Sequence, residues 1–101
     1  MAKKYSSNTI KFLVAAENAA DWLAHQGHLW QQCHFTNGND YDYCQADPDY
    51  EHALSMLYKN EKEAAETWQL LTTRNKKRAK SELLSMRSWL HMPSTIEKLW
   101  S

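Results

Sequence analysis

The sequence has few residues that interrupt secondary structure. Its 101 residues include only two glycines and two prolines, whereas folds built from many short strands need such residues at their turns. Ala, Leu, Glu, Lys and Gln, which favour helices, are plentiful. We therefore expect a mainly α protein, a single domain over residues 1–101 that forms a small bundle of roughly three to five helices.

The sequence also lacks an excess of charge of either sign. Twelve basic and twelve acidic side chains cancel, so no global field steers the protein to nucleic acid or to a membrane. The apolar run near the N-terminus is broken by Glu17, Asn18 and Asp21, which argues against a signal peptide or a membrane span. Two cysteines without an export signal are typical of reduced thiols and favour a cytoplasmic location.

The first predicted helix begins after an N-cap at Asn8, and residues 1–7 are expected to be flexible. Its apolar positions recur at spacings of three and four, which is one face of a helix: Leu13, Ala16, Ala20, Leu23, Gly27 and Trp30. Gly27 either ends this helix or lies inside it. We favour a helix that continues to Cys33, because Leu29 and Trp30 keep the period.

The middle of the chain is the only stretch with signals that are not helical. Asn37-Gly38 is a strong turn signal, and it predicts a short β-hairpin near residues 33–44. Asp47 followed by Pro48 predicts the start of the next helix, with Asp47 as the N-cap and Pro48 at the first helical position.

The second half predicts helices with uncertain breaks. Asn60 and Glu63 resemble a capping pair, so one helix either ends there or runs straight through. Residues 61–91 as one helix would be about 45 Å long, against a radius of gyration of about 13 Å for a compact domain. We therefore expect a turn near residues 72–77, or a homodimer that covers the overhang. Pro93 should stop the last long helix, with Ser94 capping a final short turn.

Four side chains have the chemistry of zinc ligands: His25, His28, Cys33 and Cys44. Their spacing matches no standard zinc pattern, and the sequence has no Cys-x-x-Cys motif. We expect no metal and no cofactor, with buried thiols and surface histidines. A disulfide between the two cysteines is conceivable, but the predicted hairpin does not place them opposite each other.

Charge is clustered even though it cancels overall. An acidic run occupies Asp40, Asp42, Asp47, Asp49 and Glu51, and a basic block occupies Arg74, Lys76, Lys77, Arg78, Lys80 and Arg87. The acidic run lacks the glycine position of a calcium loop, so we interpret it as a solvated loop and helix start. The basic block is suited to a phosphate backbone or to an acidic protein surface.

Five tryptophans form a large aromatic content for a chain this short. Trp22, Trp30 and Trp68 lie at helical apolar positions and are expected in the core. Trp89 and Trp100 are expected to be more exposed, where tryptophan makes a good interface anchor.

No enzyme motif is present. There is no phosphate-binding glycine loop, no Gly-x-Ser-x-Gly and no His-Glu-x-x-His, so we expect a protein that is not an enzyme. The favoured hypothesis is a small interaction protein that binds a protein partner through Asp40, Asp42, the basic block, Trp89 and Trp100, and modulates or inhibits it, as phage-type accessory proteins do. The alternative is a nucleic-acid-binding accessory factor that uses residues 74–87.

Overall fold

The computed structural model describes residues 5–37 and 48–100, and every regular element in these ranges is helical. The prediction of a mainly α helical bundle is confirmed. The elements in chain order are α1 (Ser7–Asn37), α2 (Pro48–Gln69), α3 (Thr73–Ser85), a 3₁₀ helix (Arg87–His91), α4 (Ser94–Glu97) and a 3₁₀ turn (Lys98–Trp100).

Helix α1 begins two residues earlier than its predicted cap implied. The hydroxyl of Ser6 accepts a hydrogen bond from the backbone N–H of Thr9 at 3.1 Å, and the Ser6 carbonyl accepts from Ile10 at 3.0 Å. Ser6 is therefore the residue that caps α1, and the assignment of Asn8 was wrong. The expected continuation through Gly27 is confirmed, and the helix extends past Cys33 to Asn37.

The hairpin predicted near residues 33–44 is not confirmed. Residues 33–37 belong to α1, and residues 38–47 lie outside the described part of the chain. Pro48 is the first residue of α2, as expected from its fixed φ and missing N–H. The predicted N-cap Asp47 lies outside the described residues.

Helices α1 and α2 form an antiparallel pair with small residues between them. Phe12 contacts Trp68 near one end of the pair, with ring centroids 5.0 Å apart, and Trp30 contacts Tyr50 near the other, at 5.5 Å. Six alanines of the two helices are almost fully buried: Ala15, Ala16, Ala19 and Ala20 on α1, with Ala53 and Ala64 on α2. Small side chains let the two backbones approach closely.

The hydrophobic core lies at one end of this pair. Phe12 and Trp68 share a buried cluster with Leu83 of α3 and with Met92 and Ile96 near the C-terminus. At the other end Trp22 and Trp30 are only partly buried, so their expected place in the core was wrong. The molecule measures 48 × 24 × 23 Å and has a radius of gyration of 15.7 Å. This radius exceeds the value of about 13 Å for a compact domain of this length, because the helix pair extends beyond its core.

The second half contains a break at residues 70–72, which overlaps the turn predicted near residues 72–77 only at Thr72, because residues 73–77 already belong to α3. Helix α2 runs straight through Asn60, whose buried side chain donates to the Met56 carbonyl at 2.8 Å. The turn comes at residues 70–72, and the Thr72 hydroxyl accepts from the backbone N–H of Asn75 at 3.1 Å to cap α3. Ser94 is the first residue of α4 rather than its cap, which is Pro93.

Within the described residues, no helix is both long enough and apolar enough to cross a membrane.

Candidate functional site

Helix α3 carries most of the basic block. Ala79 and Leu83, four residues apart, are buried at 0% exposure and hold one face of the helix against the core. The basic side chains occupy the remaining surface, where Arg74 and Lys77 are exposed and Lys76, Arg78 and Lys80 are partly buried. The structure therefore places the five cations of residues 74–80 on the surface of one short helix, around its buried face. Arg87 is exposed in the following 3₁₀ helix.

Three of these cations lie over aromatic rings. The Lys76 ammonium is 5.7 Å from the ring centroid of Trp68, and the Lys80 ammonium is 5.7 Å from that of Trp100. The guanidinium carbon of Arg78 is 4.8 Å from the centroid of Tyr5. Such contacts stabilise a cation and cover the ring with its aliphatic stem. They restrict long side chains that would otherwise sample many rotamers.

The segment before α1 contacts α3 through its side chains. The Tyr5 hydroxyl donates a 2.7 Å hydrogen bond to Oε2 of Glu82, and the Asn75 amide donates to the Ser6 hydroxyl at 3.4 Å. The hydrogen bond to Glu82 raises the pKa of Tyr5 above its ordinary value, because the phenol must stay protonated to donate. Tyr5 and Ser6 belong to the segment 1–7, which was expected to be flexible. Residues 1–4 of that segment lie outside the described chain.

A surface depression of about 510 Å³ lies between Tyr5 and α3. Its walls are Tyr5, Arg74, Lys77, Arg78, Ser81 and Glu82. The α3 residues at 74, 77, 78 and 81 follow helical spacing and lie on one face. Sequence analysis identified three of these cations but missed Tyr5 and Ser81, because nothing in the sequence places residue 5 beside residue 82.

The two tryptophans expected as interface anchors lie together near the C-terminus. Trp89 stacks on Trp100 with ring centroids 5.6 Å apart and planes at 25°, and Trp100 contacts Trp68 at 5.6 Å. Both are partly buried and pack against the core. Their expected exposure is therefore only partial, because each ring has one side against the protein.

The structure describes the side chains of two of the four candidate metal ligands. His25 and His28 are exposed on α1. The backbone of Cys33 belongs to α1, but its side chain and all of Cys44 lie outside the described residues. Trp22 lies between two imidazoles, with ring centroids 5.8 Å from His25 and 5.5 Å from His52. In the described ranges, no three side chains of metal-binding type lie close together.

Of the acidic run, which forms the other half of the predicted binding surface, the structure describes only Asp49 and Glu51. Asp40, Asp42 and Asp47 lie outside the described residues. Asp49 and Glu51 occupy the first turn of α2 and are exposed, where the helix dipole favours negative charge. The basic half, by contrast, lies entirely within the described residues.

A second surface feature lies between α1 and the 3₁₀ helix. This groove of about 600 Å³ is lined by Leu23, Gly27 and His28 on one side and by Leu90 and His91 on the other. Leu90 is 81% exposed. Sequence analysis did not identify this groove, because its two walls are about sixty residues apart in the chain.

No family model, no curated protein and no solved structure matches this chain.

Proposed function

We propose that this protein is a non-enzymatic interaction protein of the cytoplasm that binds an acidic protein partner through the outward surface of α3 and blocks or recruits it. One observation carries the proposal: five cations within seven residues occupy the surface of α3 around its buried face, two of them exposed and three partly buried against aromatic rings. Cations held in this way lose less conformational entropy when they meet a partner.

An exposed apolar side chain beside the cations, that of Leu84, favours a protein partner. Leu84 is 45% exposed, and it follows Lys80 by four residues and Lys77 by seven, so the three share a face of α3. Protein interfaces combine arginine with apolar and aromatic contacts, whereas phosphate backbones are bound by polar and basic groups. The zero net charge of the chain also supports a local patch over a general affinity for polyanions.

Nucleic acid is the second candidate, and the row of Arg74, Lys77 and Ser81 along α3 is the observation that favours it. These three side chains present two cations and a hydroxyl on successive turns, an arrangement that suits phosphate oxygens. Binding of this kind falls steeply with salt and is competed by any duplex. A protein partner would be captured equally with or without added DNA.

A capture experiment with two matched variants tests the proposal. Arg74→Glu/Lys77→Glu reverses two exposed cations of α3, and Lys59→Glu/Lys62→Glu reverses two exposed cations of α2, so both change the net charge equally. The tagged proteins are incubated with extract from the native host, with and without nuclease, and the complexes are weighed by native mass spectrometry. We expect a nuclease-resistant complex of fixed mass that the α3 variant loses and the α2 variant keeps.

Three other outcomes would overturn the proposal. Equal capture by both variants would remove the α3 surface from binding. A complex that nuclease abolishes would assign the surface to nucleic acid. A species with twice the chain mass that the α3 variant converts to monomer would assign the same surface to a homodimer.

A further inference from the structure

The depression between Tyr5 and α3 has the composition of an anion site. Arg74, Lys77 and Arg78 line one depression with the hydroxyl of Ser81. Guanidinium groups present several N–H donors in a planar fork, which suits the oxygens of a phosphoryl group. The donors therefore come from four side chains of three chemical types, all reaching one space of about 510 Å³.

Two contacts of Tyr5 position Arg78, one of these donors. The Tyr5 ring lies under the Arg78 guanidinium at 4.8 Å and holds it at the wall of the depression. The Tyr5 hydroxyl in turn donates to Glu82 at 2.7 Å, so the ring is fixed to α3 at both its face and its edge. A donor that is already oriented loses less entropy when it binds an anion.

The local charge matches a dianion. Among the described residues, three cations and one carboxylate, that of Glu82, line the depression, which gives a local charge of about +2. Tyr5 adds no negative charge at neutral pH, because an ordinary phenol has a pKa of about 10 and the hydrogen bond to Glu82 raises the pKa of Tyr5 further. A carboxylate ligand would neutralise half of this charge, whereas a phosphate monoester carries about −1.5 to −2 at neutral pH.

We propose that the depression lined by Tyr5, Arg74, Lys77, Arg78 and Ser81 binds the phosphoryl group of a phosphate monoester. The inference rests on the proposed function, because the same surface of α3 would then recognise a phosphoryl group on its partner. Arg74 and Lys77, which are exposed, close over the anion. The Ser81 hydroxyl donates a hydrogen bond to a phosphate oxygen, and Glu82 keeps its hydrogen bond from Tyr5 at the rim.

The test is an NMR titration of the isotope-labelled full chain with defined anions. Inorganic phosphate and sulfate are added at neutral pH, and acetate and chloride are added at the same ionic strength. We expect saturable shifts at Tyr5, Arg74, Lys77, Arg78 and Ser81 with the two tetrahedral anions and no saturation with acetate or chloride. Equal responses to all four anions would overturn the proposal, because they would show only screening of a basic surface.

Three variants test which charges the binding depends on. Arg74→Gln/Lys77→Gln should weaken phosphate affinity by about tenfold or more, since it removes two charge-assisted donors, while Lys59→Gln/Lys62→Gln should leave it unchanged. Glu82→Gln should strengthen phosphate binding, because Glu82 is the one carboxylate among the described residues that line the depression. Weaker binding by Glu82→Gln in a folded protein would contradict the charge argument.

A last comparison identifies the source of the phosphoryl group. A phosphoserine peptide that binds about tenfold or more tightly than inorganic phosphate, with no binding by the unphosphorylated peptide, assigns it to a protein. Equal affinity for the peptide and inorganic phosphate assigns it to a small phosphorylated molecule. Preferred binding of a DNA duplex, whose phosphates are diesters, would overturn the proposal. If no anion binds while α3 reversal still abolishes partner capture, this inference fails and the proposed function stands.

Discussion

The phenol of Tyr5 donates a 2.7 Å hydrogen bond to Oε2 of Glu82, a residue 77 positions later in the chain. Arg78 lies over the same ring at 4.8 Å. The two contacts join the segment before α1 to the basic surface of α3. The position of the N-terminal segment is therefore coupled to the site that we propose for partner binding.

This hydrogen bond should make Tyr5 titrate later than an ordinary tyrosine. The folded-state pKa is raised, so the stabilising contribution is present below pH of about 10 and is lost as pH rises through the folded pKa. The absorbance difference between the wild type and Tyr5→Phe during an alkaline titration isolates this residue. We expect Glu82→Gln to return its pKa towards the ordinary value, and an unshifted Tyr5 in the wild type would contradict the contact.

Truncation of Phe12 should be strongly destabilising. Its side chain is fully buried, and its ring centroid lies 5.0 Å from that of Trp68. Phe12→Ala should lower the free energy of unfolding by about 3–5 kcal/mol, measured by denaturant unfolding. Ile10→Ala is the matched control on the same helix, because Ile10 is 50% exposed, and it should cost less than about 0.5 kcal/mol. Similar costs at both positions would contradict the assigned core face.

Gly27→Ala should stabilise the protein. Gly27 lies inside α1, and a Cβ built there meets no atom within 4 Å, so alanine adds helix propensity without a clash. The free energy of unfolding should rise by about 0.5–1 kcal/mol. A loss of stability would contradict the open space at this position and would show that the added methyl group meets a neighbour. Thermal and denaturant unfolding of the variant measure the effect.

Loss of the Thr72 cap should destabilise α3. The Thr72 hydroxyl accepts from the Asn75 backbone N–H, one of the donors that a helix start leaves unsatisfied. Thr72→Ala should lower the free energy of unfolding by about 1 kcal/mol, while Thr72→Ser, which keeps the oxygen, should be close to the wild type. Equal unfolding midpoints for all three proteins would show that this hydrogen bond contributes little.

Hydrogen exchange should distinguish the two ends of the α1–α2 pair. Residues 24–31 of α1 lie beside the first half of α2, where Gln26 and Trp30 contact Tyr50. The only buried residues of α2 before Asn60 are Ala53 and Leu57. Residues 12–20 of α1, in contrast, pack against the main core. Amides of residues 24–31 should therefore exchange faster than those of residues 12–20, because fewer apolar contacts oppose local opening. Uniform protection along α1 would contradict this difference.

Part of the fold follows from local sequence alone. Scarce glycine and proline and the three-and-four spacing of Leu13, Ala16 and Ala20 correctly predicted helices, and Pro48 correctly predicted the start of α2. The caps were harder to predict. Ser6 and Asn8 are both good capping residues, and the choice between them depends on where the chain meets α3, which is a tertiary contact.

The sequence also determined the basic block itself, because charge is a property of residue type. Only the tertiary structure decided which rings lie beneath Lys76, Arg78 and Lys80, and that Tyr5 completes a depression with α3. The physical reason is range: helix propensity and period act over a few residues, whereas these contacts join residues up to 77 positions apart. Their geometry is set by how α1, α2 and α3 bury a shared core, and no local pattern encodes it.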